Sequence, residues 1–460
     1  MIYERADVGY AASTLECARL FATPKYPLRK LGELCSLVQY GCSALASAEP
    51  KGWPIIRMNN LQQKGWDFSD LKYYEPSKEE AASYRVGRGD ILFNRTNGSR
   101  DLVGKCELFD EPGDWLFASY LIRIRVNRSM ARPQFISQFL NTRAGRALIL
   151  RSSRQILMSN INAQEIRALD IPLPGLKVQE EFEAKLTEAK TERERKLAQA
   201  EALVTSLDGW LLEQLGLTSP PATPRRVFAM RLKDIRAGGR LDVGFNNPSI
   251  QKILGSLSRS PALKLSLGTI CPEIVGGATP TKGDASLYDT KGVKFLRILN
   301  IRANEFDLSD LNFIRKEVHE GELRRSRLSN GDVLMTITGR VGTAAVVTPD
   351  ILPANINQHI VRLRVQDSRV RPDYLAAFLN TSIGLALSNR GVTGGTRIAL
   401  DYETVRSIPI PIPACEEQTA IVAEVVRRRD AARRLRAEAA KEWTAAKAWF
   451  EEQLLGAANP

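Results

Sequence analysis

Four short segments of the chain occur twice, in the same order and at nearly the same spacing. Arg5–Tyr10 (RADVGY) returns as Arg240–Phe245 (RLDVGF), and Trp66–Leu71 (WDFSDL) returns as Phe306–Leu311 (FDLSDL). Phe139–Thr142 (FLNT) returns as Phe378–Thr381, and Leu169–Pro174 (LDIPLP) as Ile408–Pro413 (IPIPIP). A period of tens of residues signals a solenoid, but one this long is a duplicated domain. The chain must therefore fold as two copies of one unit. Two copies on one chain suggest one activity performed twice, at two places.

The bulk numbers fit that picture. With 460 residues, 43% of them hydrophobic, at least two cores can form. The net charge of +13 calls for an acidic partner. The apolar run Trp115–Ile122 stops at Arg123, too short to cross a bilayer. The N-terminal MIYERADVGY carries charges where a signal peptide needs an apolar stretch. These features predict a cytoplasmic protein with no membrane partner. The 6 cysteines are scattered without a C-x-x-C pair, which predicts reduced, packed thiols and no zinc site. Cys35 and Cys271 fall at matched places (LGELC, LGTIC) and read as one shared core position.

Each copy reads as a globular part followed by a helical part. Tyr120–Val126 (YLIRIRV) and His359–Val365 (HIVRLRV) alternate apolar and charged residues, the mark of half-buried strands. Gly89–Phe93 and Gly331–Met335 read as a Gly-Asp turn feeding a buried strand. Arg132–Thr142 and Arg371–Thr381 each read as a helix opened by proline. The alternating prolines of IPLP and IPIPIP suit extended connectors. Beyond them the sequence predicts helices over Val178–Leu215 and Glu416–Leu455, with Gly216 and Gly456 as C-caps. The first stripe is Phe182, Leu186, Ala189, Ala200, Leu203, Leu207 and Trp210. The second is Val425, Ala432, Leu435, Ala439, Ala446 and Trp449. Arg193 and Arg429 interrupt them. A helix of about 57 Å outruns a small domain, so pairing with each other buries both stripes. The symmetry of the repeat also predicts that the second helix returns the C-terminus to the first module. The expected fold class is α+β. It comprises two similar mixed α/β modules, each followed by a long helix, the two helices pairing as an antiparallel coiled coil. The expected boundaries are 1–174, 175–217, 218–413 and 414–460.

Catalytic signatures are scarce. His319 and His359 belong to different local patterns and read as surface or turn residues. Gly98–Cys106 (GSRDLVGKC) has the wrong spacing for a P-loop, and Cys106 stands where a magnesium-holding hydroxyl is needed. No G-x-G-x-x-G is present. Asn246–Ser249 (NNPS) lacks the second proline and the aromatic of an adenine-methyltransferase motif. The chain is expected to be no enzyme by itself and to need no cofactor or metal.

Long polar donors instead cluster beside the strands. The first set is Arg57, Asn59, Asn60, Asn94, Arg95, Asn97, Arg100 and Lys105. The second is Arg297, Asn300, Arg302, Thr338, Arg340, Asn357, Gln358 and Arg397. Arginine pairs with guanine, and asparagine or glutamine with adenine, in the major groove. Glycine-rich loops let the backbone approach phosphates. Loops are generally rich in these residues, so each alone is weak. The arginine run Arg427–Arg436 reads as a solvated face, a DNA path or a partner groove.

As an assembly these motifs resemble the specificity subunit of type I restriction–modification systems. They are RADVGY/RLDVGF, LGELC/LGTIC, NRTNGSRDLVGK with FASYLIRIRV, TGRVGT with NINQHIVRLRV, and IPLP/IPIPIP before long helices. The resemblance covers nearly the whole chain. It implies two target recognition domains, each reading half of a split site in double-stranded DNA. It also implies that the helices dock two copies of an adenine-specific DNA methyltransferase subunit, with room for a motor–nuclease restriction subunit. It carries over no base-reading residue. The alternatives are the equivalent subunit of another methylation-linked phage-defence system, or a self-contained DNA-processing enzyme with an unrecognised site.

Overall fold

The computed structural model describes residues 8–62, 65–97, 103–155, 159–218, 228–229, 232, 246–280, 285–390 and 399–456. Both copies of the RADVGY motif, Arg100 and Arg397 lie wholly or largely outside these. The chain divides into two compact units: residues 1–197 with 436–460, and residues 198–435. The division runs through both long helices, Leu176–Gln214 and Cys415–Leu455.

Each unit is built on the same antiparallel sheet. In the first the strand order is Cys35–Tyr40, Leu121–Val126, Ile91–Asn94, Cys106–Leu108. In the second it is Glu273–Gly276, Ile360–Arg364, Val333–Thr336, Ala344–Val346. A smaller sheet with one parallel pair accompanies each. Trp53–Ile56 pairs with Leu116–Phe117 in the first unit, and Val293–Leu296 with Ala354–Ile356 in the second. The second unit's small sheet has an extra strand, Tyr288–Asp289.

Local chemistry explains these elements. Gly89 and Gly331 hold φ of 89° and 84°, a conformation open to glycine, just before the buried strands. The next residues, Asp90 and Asp332, accept from the backbone of Gly87 and Ser329 at 2.8 and 2.7 Å, closing each turn. Pro133 and Pro372 open helices Pro133–Leu140 and Pro372–Leu379 as expected. NNPS proves to be a helix cap: the Asn247 side chain accepts from Ser249 N at 2.9 Å. The proline-alternating stretches do more than connect. Asp170–Pro172 pairs with Leu28–Lys30, and Pro409–Ile412 with Leu263–Ser266, in two-stranded ladders. Such edges are where proline is tolerated in a sheet.

The half-buried reading of LIRIRV and IVRLR needs correction. Arg123 and Arg362 are only 3% and 5% exposed, although they occupy the charged places of the alternation. Two features compensate their burial. Carbonyls accept from them: Ser83 O from Arg123 at 3.0 Å and Arg327 O from Arg362 at 2.6 Å. The buried carboxylates Asp90 and Asp332 lie 3.8 and 4.0 Å away. Each carboxylate is also gripped at both oxygens by the next arginine, Arg125 at 2.7 Å and Arg364 at 2.8 and 3.0 Å. A buried charge survives only when paired and hydrogen-bonded.

The long helices are anchored alike at their roots. Gln179 accepts from Arg132 N and donates to Pro174 O, both at 2.8 Å. Gln418 accepts from Arg371 N and donates to Pro413 O, both at 2.9 Å. At the far ends Gly216 and Gly456 take positive φ of 62° and 81°, confirming the C-caps. Within the first unit the pairing is antiparallel. Phe182 meets Phe450 at 5.7 Å between ring centroids, Arg193 lies over Trp443, and Lys196 reaches Glu442 at 2.5 Å. Thus as numbers rise along one helix they fall along the other.

Each unit is completed by a helix end from the other repeat. In the first, Phe450, Leu454 and Leu455 are buried with Phe135 and Phe139. Glu451 accepts from Ala144 N at 2.9 Å, and Leu454 O from Lys25 N at 3.0 Å. In the second, Leu207, Leu211, Leu212 and Leu215 join the core with Tyr374 and Phe378. There Asp208 accepts from Ser382 N at 2.7 Å, capping the next helix. The helix end near the C-terminus thus returns to the first module, as the repeat symmetry predicts.

The arginines interrupting the stripes are also accommodated. Arg428 lies over Trp210 and reaches Ser206, and Arg429 bridges to Glu305 at 2.6 Å. This part of the arginine run is therefore inside the second unit's own packing. All the cysteines are free, though Cys415 is exposed and not packed. Burial pushes the Cys35 and Cys271 thiols up to about 12. Among the described residues, no helix is long and apolar enough to cross a membrane.

Candidate nucleic-acid interface

The loops carrying the predicted donors meet at one end of each main sheet. In the second unit strand Val333–Thr336 runs into Thr338 and Arg340, while Asn357 and Gln358 lead into Ile360–Arg364. Those two strands pair, with Thr336 opposite Ile360, so the loops emerge side by side. The Thr338 hydroxyl and His359 Nδ1 lie 2.9 Å apart. Arg297 joins them because its strand pairs in parallel with Ala354–Ile356, and Asn357 N donates to Leu296 O at 3.1 Å. Gly339 packs so close to Ile298 that an added Cβ would sit 2.9 Å from its side chain.

The first unit repeats this geometry with other residues. Strand Ile91–Asn94 pairs with Leu121–Val126, Asn94 opposite Leu121, and Arg95 N donates to Tyr120 O at 3.2 Å. Arg57 follows the strand that pairs in parallel with Leu116–Phe117. The Arg95 guanidinium lies 4.9 Å from the centroid of the Tyr40 ring.

Some predicted donors turn out to hold this end together. Asn60 and Asn300 are buried. Asn60 accepts from Arg57 N at 2.9 Å and donates to the carbonyls of Asp67 and Asp70. Asn300 accepts from Arg297 N at 2.8 Å and donates to Asp307 O and Asp310 O. The Arg57 and Arg297 guanidinia close the same turns, each reaching its aspartate carboxylate at 2.9 Å. WDFSDL and FDLSDL recur because their aspartates complete this clamp. Ser309 and then Arg302 hold the Asp307 carboxyl down to about 2, and Ser69 likewise lowers Asp67. Arg302 is engaged with Asp307 at 3.0 Å.

Other donors face solvent. Asn59, Arg340 and Gln358 are exposed, although Gln358 also accepts from the Thr279 hydroxyl. Asn357 and Asn94 are buried at strand ends. Asn97 lies in a short strand opposite Ser159. Lys105, one residue before strand Cys106–Leu108, accepts at its carbonyl from Asn94 N at 2.8 Å, and it lines a cavity beside the helices. The donor lists missed Tyr40 and Tyr120, both exposed at this end, and His359. For Tyr120 and His359 the signal was present, because Ala118–Leu121 (ASYL) stands in the first copy where Asn357–Ile360 (NQHI) stands in the second.

These features define a class: a duplicated α+β protein whose halves carry matching scaffolds, different loops, and helix ends exchanged between repeats. Residues 264–425 match the family described as type I restriction modification DNA specificity domain. The putative type I restriction enzyme MjaX specificity subunit of Methanocaldococcus jannaschii is 28% identical over 160 residues, 34% of this chain and 37% of that protein. The EcoKI specificity subunit of Escherichia coli is 28% identical over 145 residues, 31% of each chain. The alignments thus span about a third of those relatives' lengths. The StySPI specificity subunit of Salmonella potsdam is 22% identical over 383 residues, 82% of this chain and 74% of that one. A solved structure titled for complex assembly and conformational transition of the type I R-M system shares the fold. Its TM-score is 0.54 at 18% identity, over 94% of this chain and 97% of that one. The chain is thus similar to specificity subunits of type I restriction enzymes, and its residues 264–425 match that family's DNA specificity domain.

Proposed function

We propose that the chain is a non-catalytic DNA specificity subunit. It reads a bipartite double-stranded site, one half with residues 1–174 and the other with residues 218–413. The long helices at 175–217 and 414–460 recruit two adenine-specific methyltransferase subunits, and a motor–nuclease subunit where the system has one. Such a complex works in the cytoplasm. The observation that carries this reading is one scaffold furnished with two different donor sets. The Arg–Asn–Asp clamp recurs in both units, whereas Arg95 over Tyr40 has Thr338 beside His359 as its counterpart. Equal scaffolds with unequal donors suit two readers of unequal half-sites.

Arg340→Ala and Gln358→Ala should relax the second half of the recognised site. A lost bidentate base contact costs about 1–3 kcal/mol of discrimination. Asn300→Ala should behave differently. It strands buried backbone groups, at about 1–3 kcal/mol of stability. Methylation assays on libraries of degenerate half-sites, paired with thermal unfolding, separate the effects. Unchanged preference at every base in both exposed variants would remove these residues from the reading surface.

A further inference from the structure

The first unit contains a cavity of about 360 Å³ beside the long helices, and Leu61, Gln62 and Gly65, just beyond the Asn59–Asn60 turn, line its other side. Its wall combines strand Cys106–Leu108 and helix Pro133–Leu140 with one face of each long helix. The cationic side chains lining it are Lys105, Lys190, Arg193 and Lys447, against one carboxylate, Glu107. Lys190 pairs with Glu107 at 3.4 Å. Among the described residues, Lys105, Arg193 and Lys447 pair with no carboxylate. Trp443 stands between the last two, with Arg193 6.0 Å and the Lys447 ammonium 5.8 Å from its ring. None of these side chains is fully exposed; all are half-buried. Burial and then nearby Arg146 pull the Lys105 ammonium below its usual range.

Half-buried cations gathered around one concavity repel one another, and an anion in their midst relieves that repulsion. Arginine and lysine together suit phosphate oxygens, the first by its fork and the second as a point charge. The volume falls in the usual range for small-ligand sites, about 300–1,000 Å³. We propose that this cavity binds a small phosphorylated anion of nucleotide size, with Arg193 and Lys447 as its main phosphate contacts. The helix faces that hold these two side chains also set their spacing, so an occupied site ties both helices to the first module. This proposal does not depend on the DNA-reading function, because the ligand is free in solution.

The test uses the full chain at low ionic strength, where such contacts are least screened. Pyrophosphate and ADP are titrated separately by calorimetry. One site per chain is expected for at least one probe. The Arg193→Gln/Lys447→Gln variant should weaken it by about tenfold or more, two lost charge-assisted contacts being ample for that. Arg193→Lys/Lys447→Arg should retain most of the affinity. Lys177→Gln/Lys441→Gln, at exposed positions on the same helices, should leave it unchanged. A wild-type chain that binds neither probe overturns the proposal, whatever the variants do. Binding that survives Arg193→Gln/Lys447→Gln places the ligand elsewhere and also overturns it. If neither probe binds but that variant weakens duplex binding, the cavity serves the DNA backbone and the small-ligand proposal fails.

Discussion

Exchanging residues 1–174 for the matching module of a relative with a different target changes one half of the methylated site and leaves the other half intact. The expectation follows from construction. Each unit has its own sheet, its own clamp and its own core. The donors at Arg95 and Tyr40 share no side chain with those at Thr338 and His359. The exchange must respect one constraint. The first module packs on Phe450 and donates Ala144 N–H to the Glu451 carboxylate, so the graft must keep an aromatic at Phe135 and the helix start at Ala144. Each specific base pair contributes about 1–3 kcal/mol, so the new half-site should displace the old by orders of magnitude. Sequencing the methylated motif reads the result. A change in both halves, or in neither, would mean that the units do not read independently.

Phe450→Ala destabilises the first unit, and Leu211→Ala destabilises the second. Phe450 is fully buried against Phe135 and Phe182, at centroid distances of 5.7 Å each. Leu211 is buried in the other core. Truncating a buried phenylalanine costs about 3–5 kcal/mol and a leucine about 2–5 kcal/mol. In both variants the substituted residue lies on the long helix of one repeat and supports the module of the other. Native-state hydrogen exchange resolves which unit opens. Phe450→Ala should deprotect Ile91–Asn94 and Leu121–Val126 first, and Leu211→Ala should deprotect Val333–Thr336 and Ile360–Arg364. Equal loss in both units from either variant would contradict the assignment of each helix end to one core.

Local signals in the sequence were dependable. The helix limits, the proline starts, the Gly-Asp turns and the C-capping glycines all rest on backbone preferences of neighbouring residues. Features decided by distant partners were not legible. Arg123 reads as the polar side of a strand, but Asp90 and the Ser83 carbonyl take it inside. Asn60 and Asn300 read as free donors, although carbonyls seven and ten residues on consume their amides. Arg429 reads as a break in a stripe because Glu305 is remote in sequence. The candidate site was legible as a set of loops, since donor-rich segments flank matched strands. Which donors face outward was not, because that depends on the pairing of strands whose partners lie elsewhere in the chain. Tyr40 was not legible for a simpler reason: an aromatic at a strand end reads first as part of the core.

The most direct test of the duplicated-reader assignment is methylome sequencing of cells that carry the partner methyltransferase, with and without this chain. The prediction is adenine methylation that appears only with the chain, at a motif of two unlike specific halves separated by unspecified bases. Methylation at one uninterrupted motif, or the same methylation without the chain, would contradict it.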